Sequence, residues 1–294
     1  MMDRIQYCIF DPTGNITALV ETHVDIADQP AVASKIMELE PDVEQVGFIT
    51  YANDAASSGG AAISIRMAGG EFCGNATMCA AALFAIKRGL QGGAVPVKVW
   101  GVSAPFEVTL EQQAAFSYRA AVSMPPALGI STVSLRPSDG AGASGILKDA
   151  GTDGVSAMLA LPIVEMEGIS HIIIEPDSGF FGIKEDSALA ESLLRQWCGV
   201  LGAECLGMMF LGEGAALRPL IPLVYVPGAD TMFWENSCAS GSVAAGMYLA
   251  AKAGSPVDVT FDEPAGRLRV ESDPATGRTI LHGSAILRGS TITI

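Results

Sequence analysis

Met67-Ala-Gly-Gly-Glu-Phe-Cys-Gly-Asn-Ala-Thr-Met-Cys-Ala-Ala-Ala-Leu83 and Met232-Phe-Trp-Glu-Asn-Ser-Cys-Ala-Ser-Gly-Ser-Val-Ala-Ala-Gly-Met247 are two versions of one arrangement. Each sets a cysteine, Cys73 or Cys238, just ahead of an alanine-rich run of helical character, with small residues lining the approach. Aligning the two thiols puts Gly74-Asn75-Ala76-Thr77 opposite Ala239-Ser240-Gly241-Ser242, 165 positions further on. That is a weak internal duplication with one thiol per copy. A chain of 294 residues exceeds the common domain size of ~100 to 150, so two domains are expected. The first spans 1–126 and holds Cys73, and the second spans 127–283 and holds Cys238. The C-terminal strand near 284–294 is free to return to the first domain.

Around these stretches the chain alternates short strands and a few helices. Arg4–Phe10 and Ile16–Val20 read as strands on either side of the turn cluster Asp11-Pro-Thr-Gly-Asn15. Gln29–Leu39 reads as a helix with Pro30 in its first turn, and Glu44–Tyr51 as a strand that starts with two polar side chains. Asn53–Gly60 reads as a polar loop and Ala61–Met67 as the strand delivering Cys73, followed by a helix of roughly 15 residues. Strands at Val95–Val99, Phe106–Leu110 and Tyr118–Ser123 come next, and Met124-Pro-Pro-Ala127 interrupts regular structure. The second half carries a loop at Asp139–Gly145, strands at Ala157–Leu161 and His171–Glu175, a helix at Asp186–Cys198, and strands at Cys205–Leu211 and Leu217–Tyr225. After the helix that Cys238 opens, strands are expected at Val257–Phe261, Arg267–Glu271, Thr279–His282 and Ile286–Ile294. The fold class is therefore α+β: two pseudo-symmetric halves, each a mostly antiparallel wrap of strands around one helix buried along most of its circumference.

Composition excludes several function classes. Hydrophobic residues make up 49% of the chain with no apolar run near the ~18 residues of a membrane span, so no membrane partner is expected. A net charge of −15 without clustered Lys and Arg argues against nucleic acid. The N-terminal Met-Met-Asp-Arg-Ile-Gln lacks the order of a secretory signal, which points to the cytoplasm. Six cysteines without a CxxC pair and three scattered histidines make no metal-ligand spacing, so no metal is expected and the thiols should stay free. No dinucleotide fingerprint, phosphate loop or evident Schiff-base lysine appears, and no cofactor is expected.

Cys8, Cys79, Cys198 and Cys205 read as small buried hydrophobes. Cys73 and Cys238 differ, because a helix start offers unpaired N–H groups and a positive dipole end that favour a thiolate and can also hold a carboxylate. If two such starts face one substrate, one thiolate removes a proton from one side of a carbon and the other thiol returns one to the opposite side. Such a pair inverts a stereocentre without a covalent cofactor.

The segments Gly69-Gly-Glu-Phe-Cys-Gly-Asn-Ala-Thr-Met78 and Trp234-Glu-Asn-Ser-Cys-Ala-Ser-Gly241 resemble the cofactor-independent amino-acid racemases of the diaminopimelate epimerase fold. Within that group the chain is most similar to the histidine racemases of opine-metallophore, staphylopine-type pathways. The likeness extends through Asp11-Pro-Thr-Gly-Asn-Ile-Thr-Ala-Leu-Val20, Glu44-Gln-Val-Gly-Phe-Ile49, Gly207-Met-Met209 and Arg218-Pro-Leu-Ile-Pro-Leu-Val-Tyr-Val-Pro227. The resemblance implies a racemase or epimerase with Cys73 and Cys238 as its acid/base pair. It further implies that backbone N–H groups of Gly74, Asn75, Ala239 and Ser240 hold the substrate α-carboxylate, and that Asn15, Glu44, Gln45 and Glu235 line the pocket. An amino acid, as small-molecule substrate, is the implied partner, and a homodimer is compatible with it. Diaminopimelate epimerases carry Glu-Arg before the second cysteine, whereas here Glu235-Asn-Ser237 reaches Cys238 directly, so the arginine that grips a distal carboxylate is missing. An uncharged or aromatic side chain suits the site better, with histidine first. Proline or hydroxyproline racemisation, a double-bond isomerase on the same fold, and a non-enzymatic anion clamp are the competing readings. Paired cysteines disfavour the last two.

Overall fold

The computed structural model describes residues 4–52, 60–70, 72–102, 104–136 and 158–294. The loops expected at Asn53–Gly60, apart from Gly60, and at Asp139–Gly145 lie outside these residues, as does the first residue of the strand expected from Ala157. The chain divides into two compact units. Unit 1 comprises Met1–Met124, Ala265–Arg269 and Ile280–Ile294, and unit 2 comprises Pro125–Pro264 and Val270–Thr279.

In unit 1, strands β1 (Gln6–Asp11), β2 (Thr17–Val20), β3 (Gln45–Tyr51), β4 (Ile63–Met67), β5 (Gly92–Val99), β6 (Phe106–Ala114) and β7 (Ser117–Met124) follow one another as hydrogen-bonded neighbours. The part of β16 (Arg278–Thr293; β8 to β15 belong mainly to unit 2) that lies in this unit is flanked by β7 and β1, and the β1 side pairs from Gln6↔Thr293 to Asp11↔Ile286. This closes the strands into a ring, a strand-rich barrel without free edges. The pairing is antiparallel except for β2–β3 and β4–β5, each joined through a helix, as a parallel neighbour requires. Helix α1 (Gln29–Leu39) has Pro30 in its first turn and buries Val32, Ala33 and Ile36 in a cluster with Tyr7, Ile16, Val46 and Phe48. Helix α2 (Gly74–Arg88) packs against β2, β4, β5, β6 and β7, with every residue from Gly74 to Leu83 buried. Its short side chains suit that enclosure, since a helix surrounded by strands has no face to give to solvent.

Unit 2 contains β8 (Gly129–Leu135), β9 (Leu159–Met166), β10 (Ile169–Ile174), β11 (Leu206–Leu211), β12 (Leu217–Val226), β13 (Thr231–Trp234) and β14 (Val257–Glu263), together with the end of β15 (Gly266–Asp273). The strand order is β15-β14-β12-β11-β10-β9-β8, with β13 added on β12. Helix α3 (Ser187–Leu201) covers β11 and β12 through a core built on Trp197, Phe180, Phe210, Leu193 and Leu194. Helix α4 (Ala239–Ala253) packs on β9, β10, β11 and β14 and is buried from Ala239 to Ala250. Gly246 is required there, because a Cβ would lie 2.5 Å from Val270 Cγ1.

Helices α2 and α4 are local replicas. Each has 15 residues, a cysteine N-cap, and a left-handed glycine C-cap, Gly89 or Gly254, with lysine or arginine in the last turn. Three expectations are corrected. β8 and β13 are strands that the sequence did not announce, and the two strands expected at Thr279–His282 and Ile286–Ile294 are one 16-residue strand. That strand runs through Gly283, where a Cβ would stand 2.9 Å from Met78 Cε, so the glycine marks a close approach to α2 and not a break.

Candidate active site

Each cysteine is held by the first turn of its own helix. Cys73 (φ −135°, ψ 113°) and Cys238 (φ −118°, ψ 103°) both have the extended backbone of an N-cap. In each the sulfur does what a serine or aspartate oxygen usually does at this position. Cys73 Sγ accepts the N–H of Ala76 at 3.3 Å, and Cys238 Sγ accepts that of Gly241 at 3.3 Å. The fourth-residue N–H groups of Thr77 and Ser242 return to the carbonyls of Cys73 and Cys238, which starts the helical ladder. The N–H groups of Gly74, Asn75, Ala239 and Ser240 precede that ladder, where an anion is favoured by the helix end.

In unit 1 three of the residues expected to line a pocket are brought together around Cys73. Parallel pairing sets Thr17 of β2 opposite Gln45 of β3, so the turn ahead of β2 meets the start of β3. Asn15, which is buried, donates from Nδ2 to Glu44 Oε2 at 2.9 Å. Gln45 Nε2 donates to Asn15 Oδ1 and, at 3.0 Å, to Thr17 Oγ1. Cys73 donates its S–H to Gln45 Oε1 at 3.1 Å. Asn15 is thus more than a turn residue; its side chain is part of a part-buried polar network. Gly14 beside it has a φ of +98° and no room for a Cβ, which would lie 2.6 Å from Ala265 Cβ. Arg66 is already engaged: Nη1 donates to Gln29 Oε1 at 2.6 Å and to the Met67 carbonyl at 3.2 Å, and the guanidinium lies over the Trp100 ring.

In unit 2 Cys238 is buried and has carboxylates close by. Burial, then the negative charges of Glu235 and Glu263, push its thiol well above the usual range. Desolvation and two acids here work against the helix start, whose Gly241 N–H favours the thiolate. Glu263 of β14 accepts the backbone N–H of Cys238 on one oxygen and the hydroxyl of Ser242 on the other. It does from a neighbouring strand what the glutamate of a capping box does from within the helix. Its own carboxyl is lifted to about 8, chiefly by burial, against the lowering effect of those two bonds. Ser240 Oγ lies 3.6 Å from Cys238 Sγ and 3.1 Å from Nε2 of His171, a fully buried imidazole whose pKa burial lowers to about 3. Neutral His171 leaves no space over Gly207, where a Cβ would sit 2.4 Å from Nδ1.

A sequence model of the family described as histidine racemase CntK N-terminal domain matches residues 4–281. The chain belongs to the histidine racemase CntK family. Among curated proteins, the histidine racemase of Staphylococcus aureus is 26% identical over 270 residues, covering 91% of this chain and 88% of its own. A histidine racemase of Fusobacterium nucleatum is 28% identical over 255 residues, covering 83% and 81%. In fold, the chain resembles a PhzF-family phenazine biosynthesis protein of Bacillus anthracis (TM-score 0.61, 12% identity, 100% and 99% coverage). It also resembles a hydroxyproline epimerase of Agrobacterium vitis (TM-score 0.58, 10% identity, 100% and 93% coverage). Family membership makes the protein an isomerase of the racemase and epimerase class. Among the described residues no helix is long and apolar enough to cross a membrane.

Sequence reasoning missed Glu263, Thr17 and the contact of His171 with Ser240. A signal for Glu263 existed, since Val259, Phe261 and Glu263 fall on the buried face of one alternating strand, and an acid there needs a partner inside.

Proposed function

We propose that the protein interconverts the enantiomers of an amino acid, histidine first, with Cys73 and Cys238 as its acid/base pair and no cofactor. The observation that carries this reading is the matched pair of cysteine N-caps, one in each unit, whose sulfurs accept the third-residue N–H at the same distance of 3.3 Å. In this reading the units are the two catalytic halves of a pseudo-symmetric chain of the diaminopimelate epimerase type. The first-turn N–H groups of Gly74, Asn75, Ala239 and Ser240 hold the α-carboxylate, which acidifies the α-proton by stabilising the charge that develops on the carboxylate as the proton leaves. One thiolate takes that proton while the other thiol delivers one to the opposite face. Asn15, Glu44, Gln45 and Glu235 serve the pocket, and a reducing cytoplasm keeps both sulfurs as thiols.

Histidine is favoured by what recognises the distal side chain. A second substrate carboxylate would need a cation, and Arg66 donates to Gln29 and the Met67 carbonyl and lies over the Trp100 ring. Acids such as Glu44 and Glu235 suit a weakly basic imidazole. The test is a panel of L-amino acids in deuterated water scored for α-deuterium, followed by competition among histidine, proline, glutamate and meso-diaminopimelate. Histidine should show exchange and the largest kcat/KM. Preference for glutamate or diaminopimelate would overturn the assignment of substrate, and absence of exchange from every amino acid would overturn the racemase reading itself.

A further inference from the structure

We infer that Glu44 is a positioning residue that keeps Cys73 in its protonated form while no substrate is bound, acting through Asn15 and Gln45, whose amide orientations it fixes. The inference rests on the reading of Cys73 as a proton-carrying group of the reaction.

Donors and acceptors must match along a file of four side chains, Glu44, Asn15, Gln45 and Cys73. A carboxylate only accepts, so Asn15 must turn its NH2 toward Glu44, and the bond from Nδ2 to Oε2 is 2.9 Å. That leaves Asn15 Oδ1 as the group presented to Gln45, which meets it with Nε2. Thr17 takes the matching orientation, and its rotatable hydroxyl would follow a reversed Gln45 amide. Its hydroxyl proton is spent on the Asn15 carbonyl at 3.0 Å, so only lone pairs face Gln45, and Gln45 Nε2 donates to them at 3.0 Å. With its NH2 held by two acceptors, Gln45 has only its carbonyl oxygen to offer Cys73, 3.1 Å from Sγ. A carbonyl oxygen can accept an S–H but repels a thiolate. The N–H of Ala76 on the other side of the sulfur, at 3.3 Å, favours the thiolate, so the file from Glu44 is the counterweight to the helix start.

Two titratable groups on neighbouring elements are otherwise engaged. Arg66 of β4 is bound to Gln29 and the Met67 carbonyl. Cys79, further along α2, is fully buried, and burial first and then Cys73 push its thiol well up, so it stays neutral beside Cys73. Removing the charge of Glu44 would itself ease ionisation of Cys73, and the experiment separates that direct effect from the amide file.

Cys73 is alkylated with iodoacetamide over a range of pH without substrate, and the modified peptide is quantified by mass for wild type, Glu44→Gln and Asn15→Ser. Both variants should lower the midpoint by about one pH unit, roughly tenfold more thiolate at a pH below both midpoints. Glu44→Gln frees the amides to reverse, and Asn15→Ser breaks the file while keeping the Glu44 charge. A shift in Glu44→Gln alone would assign the effect to charge and overturn the inference, as would no shift in either. Should Asn15→Ser fail to fold, the Raman S–H band lost on Cys73→Ser carries the test: a hydrogen-bonded position supports the file and a free-thiol position overturns it. No step reads turnover, so this result and that of the amino-acid panel stand or fall separately.

Discussion

Replacing Glu263 by glutamine should make the protein more stable at alkaline pH, with a much smaller gain in mild acid. Glu263 is buried against the start of α4 with a carboxyl lifted from 4.5 to about 8. An acid whose folded value is raised stabilises the folded state fully below its unfolded value and loses that contribution as pH climbs through the folded one. Each pH unit between the two is worth about 1.4 kcal/mol, so the loss reaches on the order of 5 kcal/mol above pH 8. Glutamine keeps both contacts, accepting the Cys238 N–H on its oxygen and donating its NH2 to Ser242, and it carries no charge to desolvate. About half of the loss, roughly 2.5 kcal/mol, is a conservative recovery, and for a protein of this size it should raise the melting temperature by about 4 °C. Thermal melts by circular dichroism at about pH 5.5 and about pH 8.5 read it directly. An equal gap between variant and wild type at both pH values would refute the reasoning, and so would a wild type that is the more stable at the higher one.

Cys73→Ser and Cys238→Ser should each abolish racemisation with the fold intact, since a serine hydroxyl is far too weak a base at neutral pH; polarimetry with circular dichroism as control reads both. Gly246→Ala should destabilise by roughly 1–3 kcal/mol in urea unfolding, because its Cβ would lie 2.5 Å from Val270 Cγ1 in a packed core. Glu263→Gln should also let Cys238 ionise at lower pH, one neighbouring charge having been removed, and rates of thiol modification against pH check the direction.

Much of the fold was readable because it rests on local signals. Pro30 and the spacing of Val32, Ala33 and Ile36 define α1 at the same residues that the structure shows. The two cysteine-led helices were readable for the same reason: a capping position followed by small residues is a local pattern. β8 was not, since its side chains are mostly exposed and its Ser and Thr residues give no apolar alternation. β13, four half-buried residues after a left-handed Asp230, is held by pairing with β12 and not by its own composition. In the site, Cys73 and Cys238 carried their own signal, whereas the bonds among Asn15, Glu44 and Gln45 depend on a parallel register between β2 and β3 that no local window contains. Glu263 stands 25 residues after the thiol it supports, and only the alternation of its strand hinted at an inward direction.

The ring of strands in unit 1 has a consequence for how the chain reaches its folded state. β1 finds one of its two partners only in the 286–293 segment of β16, and Ile5 and Ile294 exchange backbone hydrogen bonds in both directions. During synthesis the first strand therefore leaves the ribosome more than 270 residues ahead of the strand that completes its pairing. Residues 125–264, by contrast, form one uninterrupted stretch of unit 2 and can begin to collapse while that first unit is still open. Closing so large a loop makes the contacts of unit 1 among the most distant in sequence, which slows folding far more than it costs stability. The half made first is the half finished last, and an exposed edge of β1 must be kept from pairing with other chains in the interval.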